Sequence, residues 1–340
     1  MLKQQLIDLA PETLGKDFTL TQLHGDASNR IYHRIQTPGH SYILMERPSV
    51  GQESPSEEIG KGTSIQEYSF LNMHRFLSTT SIRIPKIFAI SSDEGLILLE
   101  DLGDQTLEKN LKKNPKELRS LYQKAIQTLI HWQHISPPTN RKPCIAWERV
   151  FDQDIMEWEF DHFIEWGLIK GAKIDLPANE KKDLTSVFRD IASELADLPQ
   201  IFCHRDFQSR NLMVLPMGEI AVLDFQDAMI GPYVYDMVAL LRDSYISLSE
   251  EDLTFLQSDY VKNNEISDSK QWIYHFDLQT AQRKLKDGGR FHYINLFKGN
   301  PSFLPHVPSS YEYAYRALKR IPQGKFVLPI LSKYLKEFAS

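Results

Sequence analysis

The chain has 340 residues, 41% hydrophobic and 25% charged, an ordinary globular usage that excludes disordered, collagenous and fibrous classes. Its 39 Lys and Arg against 45 Asp and Glu leave a formal net charge of −6, which removes the general electrostatic case for nucleic acid or an acidic membrane as partner. Two cysteines, Cys144 and Cys203, supply neither a disulfide framework nor a multi-thiolate metal site and fit a reducing cytoplasm.

The N-terminus lacks an apolar segment followed by a cleavage pattern, and no run approaches the ~18 apolar residues of a membrane span. A soluble, unprocessed cytoplasmic protein is expected. Leu2, Leu6, Ile7 and Leu9 recur at helical spacing. From Phe18 the period changes: Arg30–Ile35 and Ser41–Met45 are β-branched or aromatic runs around the turn cluster Thr37-Pro38-Gly39-His40, which predicts an antiparallel hairpin. A Ser/Gly/Glu-rich loop at 48–62 precedes an amphipathic helix over Ile65–Leu77, and two further strands are read at Pro85–Ile90 and Gly95–Glu100.

Beyond residue 105 the pattern is helical. Helices are expected at Leu107–Leu111, Leu118–His134, Phe151–Trp166 and Lys181–Leu198, and again near 232–246, 250–264, 270–287, 309–320 and 326–338. Short apolar strands at Ile201–Cys203 and Ile220–Leu223 interrupt them. The expected class is α+β and bilobal: a small antiparallel β-rich N-lobe, residues 1–101, and a larger, mainly helical C-lobe, residues 102–340.

Chemistry concentrates between those two strands. His204-Arg205-Asp206-Phe207-Gln208-Ser209-Arg210-Asn211 carries H-R-D followed by Asn five residues after the Asp, and Ile220–Leu223 then runs into Asp224-Phe225. Order and spacing match the catalytic apparatus of protein-kinase-like phosphotransferases. Moving a γ-phosphoryl group is mainly positioning and charge neutralisation, so such a site needs a carboxylate at the acceptor hydroxyl and oxygen ligands for Mg²⁺. Asp206 takes the first role, and Asn211 and Asp224 take the second. A strand–loop–strand hairpin is expected to bring the three together. His204 reads as a loop-fixing residue, Arg205 as a surface or scaffold charge, and Cys203 as core.

The segments Gly25-Asp26-Ala27-Ser28-Asn29-Arg30, Leu98–Gly103, His204–Asn211 and Asp224-Phe225-Gln226-Asp227-Ala228 resemble the aminoglycoside phosphotransferase-like family, and the likeness continues through Tyr235–Asp243 and Gln282–Lys286. The resemblance implies ATP, Mg²⁺ and a small hydroxylated acceptor, with ATP between the two lobes and no nucleic acid or membrane partner. Within the family the chain is most similar to members acting on amino sugars, which implies phosphorylation of the anomeric hydroxyl of N-acetylmuramate or N-acetylglucosamine to a sugar 1-phosphate. By the same resemblance Gly25, Ser28 and Asn29 cover the nucleotide phosphates, and Glu100 and Asp101 lie in the connector that meets the adenine edge.

The strand Tyr42–Arg47 lacks the lysine that kinase-like folds carry there. Arg47, with Glu67 as partner, is the candidate replacement; equally, both read as surface charges. Asp227 is a candidate substrate contact, and the helix stretch around Trp158 and Glu159 is a candidate sugar wall or an ordinary helix core. Asp243, beside Arg242, reads as an internal ion pair. Two alternatives stay open. One is a related kinase for an aminoglycoside, choline or homoserine, favoured by the acidic run Glu157, Glu159, Asp161 and Glu165. The other is a catalytically silent nucleotide-binding scaffold.

Overall fold

The structure, a computed structural model, describes residues 2–23, 30–47, 67–93, 95–138 and 143–339. The chain gathers into two compact units, one formed by residues 1–57 and 83–104 and the other by 58–82 and 105–340.

In the first unit, two N-terminal helices, α1 (Leu2–Leu9) and α2 (Pro11–Leu14), precede a five-stranded antiparallel sheet. Its strands are β1 (Thr19–Leu23), β2 (Ile31–Gln36), β3 (Ser41–Glu46), β4 (Ile87–Ser91) and β5 (Leu96–Glu100), in spatial order β1-β2-β3-β5-β4. The expected hairpin is β2–β3, in register Ile35↔Tyr42 and Arg34↔Ile43. Alternation sends Tyr42 and Leu44 to one face, where they join Leu6, Leu14, Ile35 and Leu98 in a shared core. Edge-on contact of Tyr42 with Phe88 (ring centroids 5.1 Å apart) adds to it.

The boundary expected at 102 is corrected in one respect. Helix α3 (Ser69–Leu77) belongs with the second unit, because its buried face packs on residues of that unit far along the chain. Phe70 stacks on Phe225 at 5.2 Å, and the buried Asn72 side chain accepts from Ile145 N at 2.8 Å.

The second unit is mainly helical. Helices α4 (Leu107–Lys113) and α5 (Leu118–Gln133) lead to α6 (Gln153–His162), which continues as a π-helical segment, Phe163–Gly171, before α7 (Ala178–Ala196). Local chemistry sets the starts: Thr106 caps α4 by accepting from Lys109 N, and Asp152 caps α6 by accepting from Ile155 N. Four short strands follow: β6 (Gln200–Cys203), β7 (Leu212–Val214), β8 (Ile220–Val222) and β9 (Met229–Pro232).

Their pairing differs from expectation. Strand β6 pairs with β9, an element with turn-like Gly231-Pro232 that periodicity does not reveal, and β8 pairs with β7. The expected single hairpin is thus two separate two-stranded ladders. Helices α8 (Tyr235–Leu241), α9 (Glu250–Asn263), α10 (Ser269–Lys298), α11 (Val307–Leu318) and α12 (Gly324–Leu331) complete the unit. Helix α10 runs on past the expected end at 287 through Gly288 and Gly289. Both glycines are there for contact: a Cβ on Gly289 would lie 2.8 Å from the Phe163 backbone, and one on Gly288 would enter the Tyr311 ring.

Candidate active site

Strand β6 delivers the loop His204–Asn211 from a rigid base. Phe202 is stacked between Trp132 (5.1 Å) and Trp147 (5.4 Å), and Trp132 also meets the His204 ring edge-on at 5.0 Å. The buried Asp236 carboxylate, at the start of α8, then accepts from His204 N at 2.7 Å and from Arg205 N at 2.9 Å. Arg205 has φ +73°, a left-handed conformation costly for a side chain with a Cβ, and these two bonds hold it there.

His204 ties the loop to the next strand. Its Nδ1 accepts from Asp206 N at 3.2 Å and its Nε2 faces the Leu223 carbonyl at 2.9 Å. Since an amide N–H can only donate and a carbonyl can only accept, the ring is the neutral Nε2–H tautomer. Burial pushes its pKa below the ordinary 6.5, outweighing the upward pull of Asp236 and Asp206. The folded state therefore resists a protonation that the unfolded chain undergoes, and the stability it derives from His204 declines as pH falls through 6.5. The Tm difference between the protein and its His204→Gln variant is expected to narrow from pH 7.5 to pH 5.5 in thermal melts; a constant difference contradicts the neutral tautomer.

Asp206 lies at the open end of this construction, its side chain 42% exposed. Each carboxylate oxygen is held. Oδ2 accepts from Gln208 Nε2 at 3.0 Å and Asn211 Nδ2 at 3.1 Å, while Oδ1 accepts from Arg283 Nη2 at 3.2 Å. Arg283, on α10, also donates to the Arg205 carbonyl at 2.7 Å and lies over the Tyr235 ring at 5.0 Å. A fixed guanidinium thus reaches the carboxylate from one side and an amide pair from the other.

Asn211 and Asp224 are brought together through main chain. Leu223 N donates to Asn211 O at 2.8 Å, extending the β7–β8 ladder to the residue before Asp224. The Asn211 amide nitrogen is bound to Asp206 O and Oδ2, which turns its Oδ1 away from that bond. Asp224 is exposed, with φ +59°, a conformation that Asp tolerates better than most residues. Gln226 Nε2 donates to Asp224 Oδ1 at 2.9 Å and to Asp227 Oδ2 at 3.3 Å, and Arg149 fixes the same turn by donating to Gln226 O at 3.1 Å. Burial of Phe225 against α3 anchors the turn from below. Among the described residues no group of three His, Cys, Asp or Glu side chains forms a ready-made metal site.

The remaining expected residues are placed as follows. Gly25, Ser28 and Asn29 lie outside the described residues. Arg47 donates to Ser92 O at 2.8 Å, and Glu67 binds Arg75 at 2.7 Å and Asn72 at 2.8 Å. The Glu100 side chain is bound to Arg83 at 2.5 Å and to Lys86 N at 3.1 Å, and the Asp101 side chain to Arg34 at 2.7 Å and Gly103 N at 2.9 Å.

Trp158 is half-buried beside His162, at 5.3 Å. Glu159, expected as a sugar contact, is fully buried, with Oε1 accepting from Arg205 at 3.2 Å and Oε2 from Gln282. That placement makes it a brace for the loop rather than a wall of an open site. Arg205, expected at the surface or in a scaffold, is correspondingly a buried scaffold charge. Asp243, expected to pair with Arg242, instead accepts from Ser209 N and Tyr245 N, each at 2.9 Å. Sequence reasoning gave no role to Asp236, Arg283, Gln208 or Gln226; the one signal for all four was their place in the resembling runs.

A β-rich unit followed by a helical one, with a loop carboxylate, an amide and a turn carboxylate arranged on loop and ladder, defines a protein-kinase-like phosphotransferase. The chain belongs to the phosphotransferase enzyme family, whose model matches residues 19–263. It is an ATP-dependent phosphotransferase. It is 28% identical over 331 residues to the N-acetylmuramate/N-acetylglucosamine kinase of Pseudomonas putida, a match covering 95% of this chain and 91% of that protein. Among solved structures it is similar to the choline kinase of Streptococcus pneumoniae (TM-score 0.61, 14% identity, 94% of this chain and 98% of that one). It is also similar to ADP-bound aminoglycoside phosphotransferase APH(2'')-Ib (TM-score 0.59, 16% identity, 90% of this chain and 95% of that one). Among the described residues no helix is long and apolar enough to cross a membrane.

Proposed function

We propose that the protein transfers the γ-phosphoryl group of ATP to the anomeric hydroxyl of an amino sugar, N-acetylmuramate or N-acetylglucosamine, releasing ADP and a sugar 1-phosphate. The observation that carries the proposal is the shared anchoring of Asp206 and Asn211, which holds a partly open carboxylate next to an amide oxygen one ladder rung from Asp224. Asp206 accepts the proton of the attacking hydroxyl as its oxygen bonds to phosphorus. Arg283, Gln208 and Asn211 fix the direction in which that carboxylate points.

The donor set at Asn211 and Asp224 fits Mg²⁺, a hard cation usually held by one or two protein oxygens with phosphates and water completing its shell. Two protein oxygen donors are enough for such a site. When bound, Mg²⁺ neutralises charge on the nucleotide phosphates. Gln226 keeps Asp224 and Asp227 apart in fixed directions, and Asp227, half-buried, is left as the second carboxylate near the acceptor. In the first unit, Gly25, Ser28, Asn29 and Arg47 are assigned to the phosphates, and main-chain groups at Glu100 and Asp101 to the adenine edge. The commitment of both acidic side chains to Arg83 and Arg34 agrees with a main-chain role there.

The name of the Pseudomonas putida relative supports the amino-sugar acceptor. So does the fate of the acidic run on α6 and its extension. Of its four carboxylates, Glu159 is paired with Arg205, Glu157 with Arg189 and Glu165 with Lys170, so these three present little unbalanced charge to a cationic acceptor. Incubation with MgATP and a panel of N-acetylmuramate, N-acetylglucosamine, kanamycin, choline and homoserine, read by ADP release and acceptor mass, is expected to show transfer to the amino sugars first. Faster transfer to choline or kanamycin contradicts the proposed acceptor.

A further inference from the structure

We infer that the Tyr245 hydroxyl orients the acceptor beside Asp206, and that it selects a polyhydroxylated ring. The inference deepens the proposed function and rests on Asp206 being the group that receives the acceptor's proton.

Tyr245 follows α8 and is held from three directions. Asp243 accepts from Tyr245 N at 2.9 Å through one oxygen and from Ser209 N at 2.9 Å through the other, so a single buried carboxylate ties Tyr245 to the catalytic loop. The Arg210 guanidinium lies 3.6 Å from the ring centroid, and His306 meets the ring edge-on at 4.8 Å. Arg210 is itself held by Glu108 at 2.9 Å, which leaves the ring little freedom. On the α10 side, Lys284 donates to the neighbouring Ser244 Oγ and to Asp287, each at 2.7 Å. The ring is therefore held between Arg210 of the loop and His306.

Within this satisfied network the Tyr245 hydroxyl has no hydrogen-bond partner among the described residues. The neighbouring polar groups are committed: Asp206 to Arg283, Gln208 and Asn211, and Asp287 to Lys284 and Lys286. A half-buried hydroxyl without a protein partner is left to water in the resting enzyme and to an acceptor hydroxyl in the working one. Burial first, and then the negative charge of Asp206, raise the phenol pKa far above its ordinary value. The group remains a neutral O–H, able to donate and accept at once, as a ring of vicinal hydroxyls requires.

The test is Tyr245→Phe, which removes one oxygen and keeps the ring between Arg210 and His306. With the preferred acceptor of the panel, kcat/KM for that acceptor is expected to fall about 10-fold to 100-fold, the range of one lost hydrogen bond in an enclosed site, while KM for MgATP stays the same. For choline, which has a single hydroxyl, the variant's low rate should match that of the parent protein. Unchanged kcat/KM for the amino sugar, or an equal loss for ATP, overturns the role of Tyr245 while leaving the proposed function standing. Parent protein that transfers phosphate to no polyhydroxylated acceptor overturns both.

Discussion

Asp206→Asn is expected to lower kcat by roughly 10²-fold to 10⁴-fold, the usual worth of a positioned proton acceptor, with the dissociation constant for MgATP essentially unchanged. The substitution keeps the volume of the side chain. An amide oxygen directed at Gln208 and Asn211 preserves both of those bonds, and Arg283, losing one acceptor, keeps its bond to the Arg205 carbonyl. What disappears is the carboxylate's capacity to take a proton. Single-turnover kinetics beside equilibrium nucleotide titration separates the two quantities. Parallel loss of ATP affinity would mean that Asp206 serves the nucleotide rather than the acceptor.

Asp224→Asn acts on the other half of the site. Asn accepts the same left-handed backbone and the same bond from Gln226, so the turn over Phe225 keeps its shape. One negative charge is lost where the cation is proposed to bind. Nucleotide affinity in the presence of Mg²⁺ is expected to drop on the order of 100-fold, beyond the usual loss from removing a supporting partner of a metal ligand. Affinity measured in EDTA should match that of the parent protein. Calorimetric titration under both conditions decides the point: equal losses with and without Mg²⁺ would place Asp224 in the fold and not at the metal.

The difference between those residues and the ones that support them explains what could be read from sequence. Asp206, Asn211 and Asp224 are legible because a loop and a short ladder fix their separation along the chain. Their supports are not. Asp236 reaches back 32 positions to His204 N, and Arg283 reaches 77 positions to Asp206, distances set by how α8 and α10 pack.

Secondary structure divides along the same line. Strands β2, β3 and β5 were legible as β-branched, aromatic or apolar runs beside turn clusters, and α5 and α7 in helical period. The partner of β6 was not, because Met229–Pro232 is four residues long and contains Gly and Pro. Gly288 and Gly289 argue locally against helix and occur within one because Phe163 and Tyr311 need the space. Helix α3 was legible as a helix but not as part of the second unit, since neither Phe225 nor Ile145 can be identified as its cover from the helix alone. Glu159 sits on an amphipathic helix that looks open from its own sequence. Only the arrival of Arg205 and Gln282 closes it.

The proposed reaction transfers phosphate from ATP to the anomeric hydroxyl of an amino sugar. Phosphorus-31 NMR of a mixture of the protein, MgATP and N-acetylmuramate or N-acetylglucosamine labelled with carbon-13 at C1 shows which hydroxyl is phosphorylated. The expected product is a phosphomonoester whose phosphorus couples to the labelled C1, formed in step with ADP. A phosphoester without coupling to C1, or ADP formed with no sugar phosphate at all, contradicts it.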